Sequence, residues 1–313
     1  MKYSIKIIVL PFCFILLFLS SCSKEKDETI QPSNNHSSNS APTAVLFNNA
    51  PNNGATNVGS PVTITWFTSI DIDGDDITYD VYLGTNSSNI TLVSSSQNGL
   101  SYTSSTLNLG STYYFRVDAK SGVHNSPSET RNFTSSTTGS FLDVRDNHTY
   151  GTILMGSQVW MTENLVYNSA GSYSYNNDVN NDATYGKLYE WLSVPAAIPA
   201  GWHLPTDAEW QTLETFLGMP TGDLNINNYN TSRGTDQGTQ LKVGGSSGLD
   251  FPLAGFRSGT TYSALNNRTY LWVNTDAGGG NIFRRRLVTS DPSCYRFTNP
   301  YAGYAISVRL VKD

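Results

Sequence analysis

Cys22 is the residue whose surroundings indicate the most specific chemistry. It follows a Leu-Ser-Ser triplet, and an almost wholly apolar run over residues 7–19 lies before it. Such a run is shorter than a comfortable membrane span and is typical of a signal peptide. A thiol is a nucleophile that can accept a lipid, and small residues before it suit a peptidase that binds extended backbone. We therefore expect Cys22 to be lipidated.

The whole N-terminal segment resembles the bacterial lipoprotein signal. The resemblance implies that residues 1–21 are a signal peptide that is removed. It also implies that Cys22 takes a diacylglycerol on its thiol and a fatty acid such as palmitate on its new amino group. Several acyl chains, at about 0.8 kcal/mol per buried methylene, make a lasting anchor. The alternative is an ordinary secretory signal that happens to contain a cysteine.

Residues 22–41 are predicted to be a lipidated, flexible tether, because residues 29–41 contain almost nothing that can pack. The charged run Ser-Lys-Glu-Lys-Asp-Glu directly after Cys22 resembles the export signal of surface lipoproteins in Bacteroidetes-type bacteria. This resemblance implies a lipid-anchored protein of the cell outer membrane, exposed at its surface. A solvated tether on a protein that faces the periplasm is the alternative.

Tyrosines flank an Asn- and Asp-rich loop in the C-terminal half of the chain. Aromatic faces stack on sugar rings, while amide and carboxylate oxygens bind hydroxyl groups or hold Ca²⁺. The candidate ligand-binding residues are Tyr173, Tyr175, Asn177, Asp178, Asp182 and Tyr185. An ordinary polar loop is the alternative.

A second acidic segment places Asp71, Asp73 and Asp75 at alternate positions, as in a calcium-binding loop. The match then fails, because the sixth position is Asp76 instead of Gly and the twelfth is Tyr82 instead of Glu. We therefore favour a solvated hairpin turn. No cofactor is expected, and Ca²⁺ is a weak alternative.

Candidates for catalysis are few. His203 could act as a base, but no Ser or Cys nucleophile with a matching motif accompanies it. Asp207 and Glu209 could form a pair of glycosidase carboxylates. Their place in the first turn of a predicted helix, where negative charge is favourable, explains them without chemistry. We therefore expect no catalytic residues and a protein that is not an enzyme.

The charge balance argues against nucleic acid as a partner. The chain has 19 Lys and Arg against 25 Asp and Glu, a net charge of −6, whereas phosphate neutralisation needs a basic face. One basic run exists, Arg284–Arg286. If it lies in a strand, alternation places its side chains on two opposite faces.

Residues 42–137 alternate short apolar runs with turn clusters, which predicts strands. Trp66, a Leu-Gly turn at residues 109–110 and the Tyr-Tyr-Phe-Arg-Val run at 113–117 resemble the fibronectin type III family. The resemblance implies a β-sandwich that acts as a spacer or a binding module. The residues predicted to face its core are Val62, Ile64, Trp66, Ile77, Tyr79, Val81, Leu83, Leu107, Leu109, Tyr113, Phe115 and Val117.

Residues 141–313 contain several blocks that recur together in one family. The blocks are GSQVWMTENL at 156–165, YGKLYEW at 185–191, PAGWHLPTDAEW at 199–210, GFR at 255–257 and SVRLVKD at 307–313. Together they resemble the Fibrobacter succinogenes major paralogous domain. Their LPTDAEW portion also resembles the formylglycine-generating enzymes, which have a C-type-lectin-like fold. The resemblance implies an α+β, C-type-lectin-like domain with few helices, so the whole chain is expected to be mainly β with two domains.

A helix is predicted to follow Pro205. Thr206 can cap its first turn and Glu209 completes a capping box, while Gly218 can end it. The residues predicted to share its buried face are Trp210, Leu213, Phe216 and Leu217. Leu310 stands where the family usually has a cysteine, so Cys294 is expected to be a free thiol.

These observations favour a lipid-anchored envelope protein that acts as a non-catalytic binding or adhesion module. The expected partners are the membrane, through the N-terminal lipid, and a polysaccharide or another extracellular ligand. The alternatives are a structural spacer or assembly component of an envelope complex, or an enzyme with the formylglycine-generating fold.

Replacing the lipidated thiol tests the anchor. In Cys22→Ala we expect fatty-acid labelling and membrane fractionation to be lost, because no nucleophile is left to take the lipid. Cys13→Ala is the matched control and should keep both, since Cys13 lies inside the predicted signal peptide. Labelling that persists in Cys22→Ala would contradict lipidation at this residue.

Overall fold

A computed structural model describes residues 39–313. The predicted signal peptide, Cys22 and nearly all of the predicted tether lie outside the described residues. The described part is mainly β, with four sheets and few helices, which confirms that much of the expected fold class.

Residues 47–135 form two sheets. One sheet has the order β1-β3-β6, and the other has the order β2-β9-β7-β4-β5 with β8 paired to β7. The strands are β1 (Phe47–Asn49), β2 (Ala55–Val58), β3 (Thr63–Trp66), β4 (Thr78–Gly84), β5 (Thr91–Gln97), β6 (Ser101–Thr103), β7 (Thr112–Ser121), β8 (His124–Pro127) and β9 (Arg131–Ser135).

Alternating side chains from both sheets meet in one core, so this part of the chain is a β-sandwich. Trp66 from β3 lies edge-on to Tyr79 from β4, with 5.5 Å between ring centroids. Phe115 from β7 is fully buried beside Phe133 from β9. The predicted alternation is confirmed across β3, β4 and β7. The hydroxyl of Tyr113 also accepts a hydrogen bond from the backbone N–H five residues upstream, which fixes the turn before β7.

Residues 138–312 form two further sheets. One has the order β10-β11-β12-β22-β15, and the other has the order β13-β14-β21-β16-β18-β19-β20 with β17 paired to β16. The strands are β10 (Thr138–Asp143), β11 (His148–Met155), β12 (Gln158–Met161), β13 (Ser172–Tyr173), β14 (Leu188–Glu190), β15 (Trp202–His203), β16 (Ala254–Ser258), β17 (Thr261–Leu265), β18 (Arg268–Gly278), β19 (Asn281–Val288), β20 (Tyr295–Pro300), β21 (Tyr304–Ser307) and β22 (Val311–Lys312).

The helices in the described residues are short. They are α1 (Asp182–Tyr185), α2 (Val194–Ala197), α3 (Asp207–Phe216) and α4 (Gln237–Leu241), with 3-10 helices at Tyr175–Asn177, Val179–Asn181 and Trp191–Ser193. The predicted capping box of α3 is confirmed. The Thr206 side chain accepts the backbone N–H of Glu209, and the Glu209 carboxylate accepts that of Thr206. Gly218 ends the helix with a φ of +86°, a conformation that glycine adopts without strain.

One predicted core residue of α3 is wrong. Phe216 is 56% exposed, whereas Trp210, Leu213 and Glu214 are fully buried. The buried stripe follows the i, i+3, i+4, i+7 spacing from residue 210, so its fourth member is Leu217 and its third is an acid. The prediction placed Phe216 on the buried face because Phe is apolar, although helical spacing assigns that position to Glu214.

Glu214 is the centre of a buried ion cluster that fixes α3 to the eight-stranded sheet. Its carboxylate contacts Arg285 Nε at 2.6 Å and Arg233 Nη2 at 2.5 Å. Asp207, at the other end of α3, pairs with Arg285 Nη1 and Arg296 Nη2, both at 2.7 Å. Burial raises the pKa of Glu214, but the two guanidinium groups beside it outweigh that effect and hold the pKa below its ordinary value.

The predicted domain limits are 42–137 and 141–313, whereas β10, the first strand of the second pair of sheets, already begins at Thr138. In the described residues, no sheet combines strands from 47–135 with strands from 138–312. Residues 40–313 nevertheless form one compact unit, so the division into two domains stays a prediction. None of the helices within residues 39–313 has the length and apolar character needed to cross a bilayer.

Removing the charge of Glu214 tests the importance of the ion cluster. In Glu214→Gln we expect the free energy of unfolding to fall by about 3–5 kcal/mol, because buried guanidinium groups lose a neutralising partner. Denaturant unfolding measures this difference. Glu190→Gln is the matched control. Its side chain is 48% exposed and 3.5 Å from Arg257, so the change should be within about 1 kcal/mol. Equal effects of the two substitutions would contradict the assignment.

Candidate functional site

The predicted ligand-binding loop is closed by its own contacts. Tyr175 is buried against Tyr262, with 5.3 Å between ring centroids, which leaves it no face for a sugar ring. Asn177 accepts a hydrogen bond from the hydroxyl of Tyr262 at 2.7 Å. Asp178 accepts hydrogen bonds from the backbone and side-chain nitrogens of Asn180. These polar atoms fasten the loop to itself and to β17.

The other three predicted residues are also engaged internally. Asp182 forms an ion pair of 2.8 Å with Lys187. The hydroxyl of Tyr185 donates to a side-chain amide oxygen at 2.8 Å. The ring of Tyr173 is covered by Arg257, whose guanidinium carbon lies 3.8 Å from the ring centroid. The structure brings the three tyrosines into one cluster, so they act as packing residues of the loop.

The carboxylates of the acidic turn likewise accept hydrogen bonds from backbone N–H groups. The carboxylate of Asp71 accepts the backbone N–H of Asp73, and that of Asp73 accepts the backbone N–H of Ser40 at 2.6 Å. Over residues 39–313, no three His, Cys, Asp or Glu side chains are grouped to hold a metal ion. The calcium hypothesis for Asp71, Asp73 and Asp75 therefore gains no geometric support.

The residues considered for catalysis have structural partners. His203 lies between two carboxylates, with Nε2 2.7 Å from Glu209 and Nδ1 2.7 Å from Asp313. Asp207 belongs to the ion cluster of α3. Cys294 is a buried free thiol, as predicted, and burial raises its pKa, which disfavours the reactive thiolate.

A different site lies on the face of the eight-stranded sheet that points away from α3. The register aligns Trp272 of β18 and Phe297 of β20 with Arg284 of β19, so these three side chains share a face. Arg285, one position along, lies on the opposite face with the ion cluster. The predicted splitting of the arginine run across two faces is thus confirmed.

This face carries an aromatic-lined cavity of about 330 Å³, which we call the aromatic pocket. Its lining is Tyr229, Phe256, Tyr270, Arg284, Phe297, Thr298, Asn299, Tyr304 and Ile306. Five of these nine residues are aromatic, two are short and polar, and one is an arginine. A concavity that combines aromatic rings with a few polar groups is a common form of a small-ligand site.

Arg284 is the unusual member of the pocket. It is 2% exposed, and its guanidinium carbon lies 4.5 Å from the Trp272 ring and 4.7 Å from the Tyr304 ring. Its Nη2 donates to the carbonyl of Pro300 at 2.5 Å, whereas Nε has no partner within the described chain. Burial lowers the pKa of Arg284 to about 10. A buried cation with unused donors is costly, so this group requires an explanation.

Two other buried arginines show two ways in which the chain compensates such a charge. Arg285 faces two carboxylates. Arg309 has no carboxylate partner, but all three of its nitrogens donate to oxygens of Asn164 or of the backbone. Arg284 has neither form of compensation.

The surroundings of the aromatic pocket are positive. The Arg268 Nη1 donates to the Tyr229 hydroxyl at 3.4 Å, and the Arg286 guanidinium lies 3.9 Å from the Tyr229 ring. Burial raises the pKa of Tyr229, but hydrogen bonds with Tyr270 and Arg286 outweigh it, so the pKa lies below its ordinary value. The pKa of its hydrogen-bond partner Tyr270 is raised instead, so the shift of Tyr229 comes mainly from the bond that the two hydroxyl groups share.

A larger cavity of about 490 Å³ lies beside α4 and is lined in part by Lys242. The ammonium group of Lys242 already donates to the carbonyls of Val288, Thr289 and Asp291 at 2.8–3.2 Å. Its charge is thus engaged by the protein itself, and we place the candidate site in the aromatic pocket.

Sequence reasoning missed the aromatic pocket, although part of its signal is visible in the chain. Tyr270 and Trp272 alternate along β18, and Tyr295 and Phe297 alternate along β20. Two aromatic strands flanking an arginine-rich strand indicate a face of stacked rings and guanidinium groups. Residue spacing does not predict that these strands pair, or that Tyr229 from a distant loop lies beside them.

The described chain is therefore a mainly β protein with an aromatic, arginine-containing pocket on one sheet. The family model for the Fibrobacter succinogenes major domain matches residues 153–312, which is just over half of the chain. The chain belongs to this family, as its sequence blocks predicted. Those residues include every member of the aromatic pocket.

Comparisons with other proteins add little beyond the family. No curated protein matches the chain. Among solved structures it is similar to the crystal structure of chicken CNTN1 FN1-FN3 domains, with 16% identity and a TM-score of 0.21. That similarity covers 44% of this chain and 46% of the other, so it spans about half of each. A TM-score this low carries no argument.

The two carboxylates around His203 make stability depend on pH. Burial lowers the pKa of His203, but hydrogen bonds to Glu209 and Asp313 outweigh it and raise the pKa above its ordinary value of 6.5. This contribution is therefore fully present below about pH 6.5 and is lost as the pH rises through the raised pKa. In His203→Gln we expect that part of the pH dependence to vanish in denaturant unfolding between about pH 5 and 9.

Asp313→Asn is the graded comparison, because it removes one of the two carboxylates and keeps the imidazole. It should show a smaller pH dependence than the unmodified chain and a larger one than His203→Gln. Identical pH profiles for all three proteins would refute a stabilising charge on His203.

Proposed function

We propose that this protein is a lipid-anchored, non-catalytic binding protein of the cell envelope, and that it holds a carbohydrate in the aromatic pocket. The lipid is placed on Cys22 and the chain is displayed at the outer-membrane surface. The observation that supports carbohydrate binding is the lining of the pocket, which combines five aromatic residues with Asn299 and Arg284.

The chemistry of the lining suits a sugar. A pyranose ring has an apolar C–H face and a rim of hydroxyl groups, so it needs flat aromatic surfaces and short hydrogen-bonding side chains together. The rings of Phe256 and Tyr270 meet edge-on, 5.3 Å apart, and the Tyr229 and Phe297 rings meet edge-on at 5.1 Å. Such interlocked rings form a preorganised wall, which lowers the entropy lost on binding.

The rest of the chain supports a role in presenting this pocket. The β-sandwich of residues 47–135 suits a fibronectin type III-like spacer between the membrane and the pocket. The C-terminal part suits a C-type-lectin-like module. A non-catalytic role is supported by the engagement of His203 and Asp207 in ion pairs and by the high pKa of the Cys294 thiol.

A glycan array with the detergent-extracted full chain tests carbohydrate binding. We expect the unmodified protein to bind a defined set of glycans and Tyr304→Ala to bind them about tenfold more weakly, since one stacking ring is lost. Tyr185→Ala is the matched control from the loop cluster and should bind as the unmodified protein does. Near-ultraviolet circular dichroism establishes that both variants are folded.

Three results would alter the proposal. Binding that is weakened by Tyr185→Ala and not by Tyr304→Ala would place the ligand at the loop of residues 173–185. Absence of binding to any glycan would favour a structural spacer. Turnover of a bound glycan would establish an enzyme.

A further inference from the structure

We propose that the aromatic pocket selects acidic sugars, and that Arg284 binds the carboxylate of a uronic acid residue in the glycan. This inference rests on the proposed function and adds the chemical class of the ligand. It follows from the charge, bonding and surroundings of one side chain.

The first step concerns charge. A buried guanidinium that lacks a counter-ion costs several kcal/mol, and proteins usually compensate it with carboxylates or with a full set of hydrogen bonds. No lining residue of the aromatic pocket is a carboxylate. The neighbouring Arg268 and Arg286 add positive charge and do not offset it. The lining of the pocket therefore offers Arg284 no counter-charge, which a ligand can supply.

The second step concerns geometry. A guanidinium carries five N–H donors in a plane and binds a carboxylate through two parallel hydrogen bonds. In Arg284 one of these donors is used by the carbonyl of Pro300, while Nε is unpartnered among the described residues. The plane is held between Trp272 and Tyr304, so its orientation is set before a ligand arrives.

The third step concerns the rest of the ligand. A cavity of about 330 Å³ is much larger than an inorganic anion. Its aromatic walls would leave a free phosphate or sulfate largely in contact with rings, which is unfavourable for a fully charged ion. A sugar carboxylate places the single negative charge on Arg284 and the ring faces on the tyrosines, with hydroxyl groups toward Asn299.

Matched pairs of oligosaccharides test this class. The probes are trimers of galacturonate, glucuronate and mannuronate, each compared with its methyl ester, which keeps the shape and removes the charge. With the detergent-extracted full chain, calorimetry should show at least one acid that binds about tenfold or more tightly than its ester, since a charge-assisted bidentate pair is lost.

Arg284→Met tests the residue, because Met keeps much of the apolar stem and has no charge. We expect this variant to bind acid and ester equally, within about twofold of the ester affinity of the unmodified protein. Its melting temperature should be equal or higher, since an uncompensated buried charge is removed. Arg284→Lys should keep part of the acid preference, which also tests the proposal if Arg284→Met does not fold.

Arg257→Met is the matched control. Arg257 also stacks on a tyrosine, with its guanidinium carbon 3.8 Å from the Tyr173 ring centroid, but it lies against the loop of residues 173–185 and pairs with Glu190. This variant should keep the full preference for the acid.

The outcomes separate this inference from the proposed function. Equal binding of acids and esters, weakened by Tyr304→Ala, would overturn the role of Arg284 and leave carbohydrate binding in place. A preference for acids that survives in Arg284→Met would also overturn it. If neither the array nor the trimers bind, carbohydrate binding itself is wrong.

Discussion

The C-terminal half of the protein is arranged around the pairing of three buried guanidinium groups with two acids, Glu214 and Asp207. Both acids belong to α3, so the helix can take only the position on the sheet that brings them to Arg285. An unpaired carboxylate at this depth would cost several kcal/mol, whereas apolar contacts alone tolerate small shifts of a helix. The capping box sets where α3 begins, and the ion cluster sets where it docks.

The same strand that supplies Arg285 to this cluster supplies Arg284 to the opposite face. Because side chains alternate along a strand, adjacent arginines meet different environments. Arg285 meets two acids of α3, while Arg284 meets tryptophan and tyrosine rings and an open cavity. The ion-paired face beneath the sheet holds the strand that carries the unpaired Arg284, so a stable scaffold can carry a site with an unpaired charge.

Much of the local structure followed from residue order. Val62, Ile64 and Trp66 alternate with polar residues, as expected of a strand with one buried face. Thr206 and Glu209 have the spacing of a capping box, which depends only on residues within one helical turn. The prediction that Phe216 is buried is wrong, because helical spacing places Glu214 on the buried face. The composition of the loop of residues 173–185 predicted a binding site. In the structure its polar atoms form hydrogen bonds within the protein, for example with Tyr262, which is distant in sequence.

The sequence by itself determined the features that depend on near neighbours: the strands of the β-sandwich, the ends of α3 and the family blocks. Only the tertiary structure decided which charges are compensated. Glu214 and Arg285 are 71 positions apart, and Tyr229 reaches the pocket from a loop 41 positions before Tyr270. Compensation of a buried charge depends on distances of a few ångströms between such residues, and these distances exist only after the strands have paired.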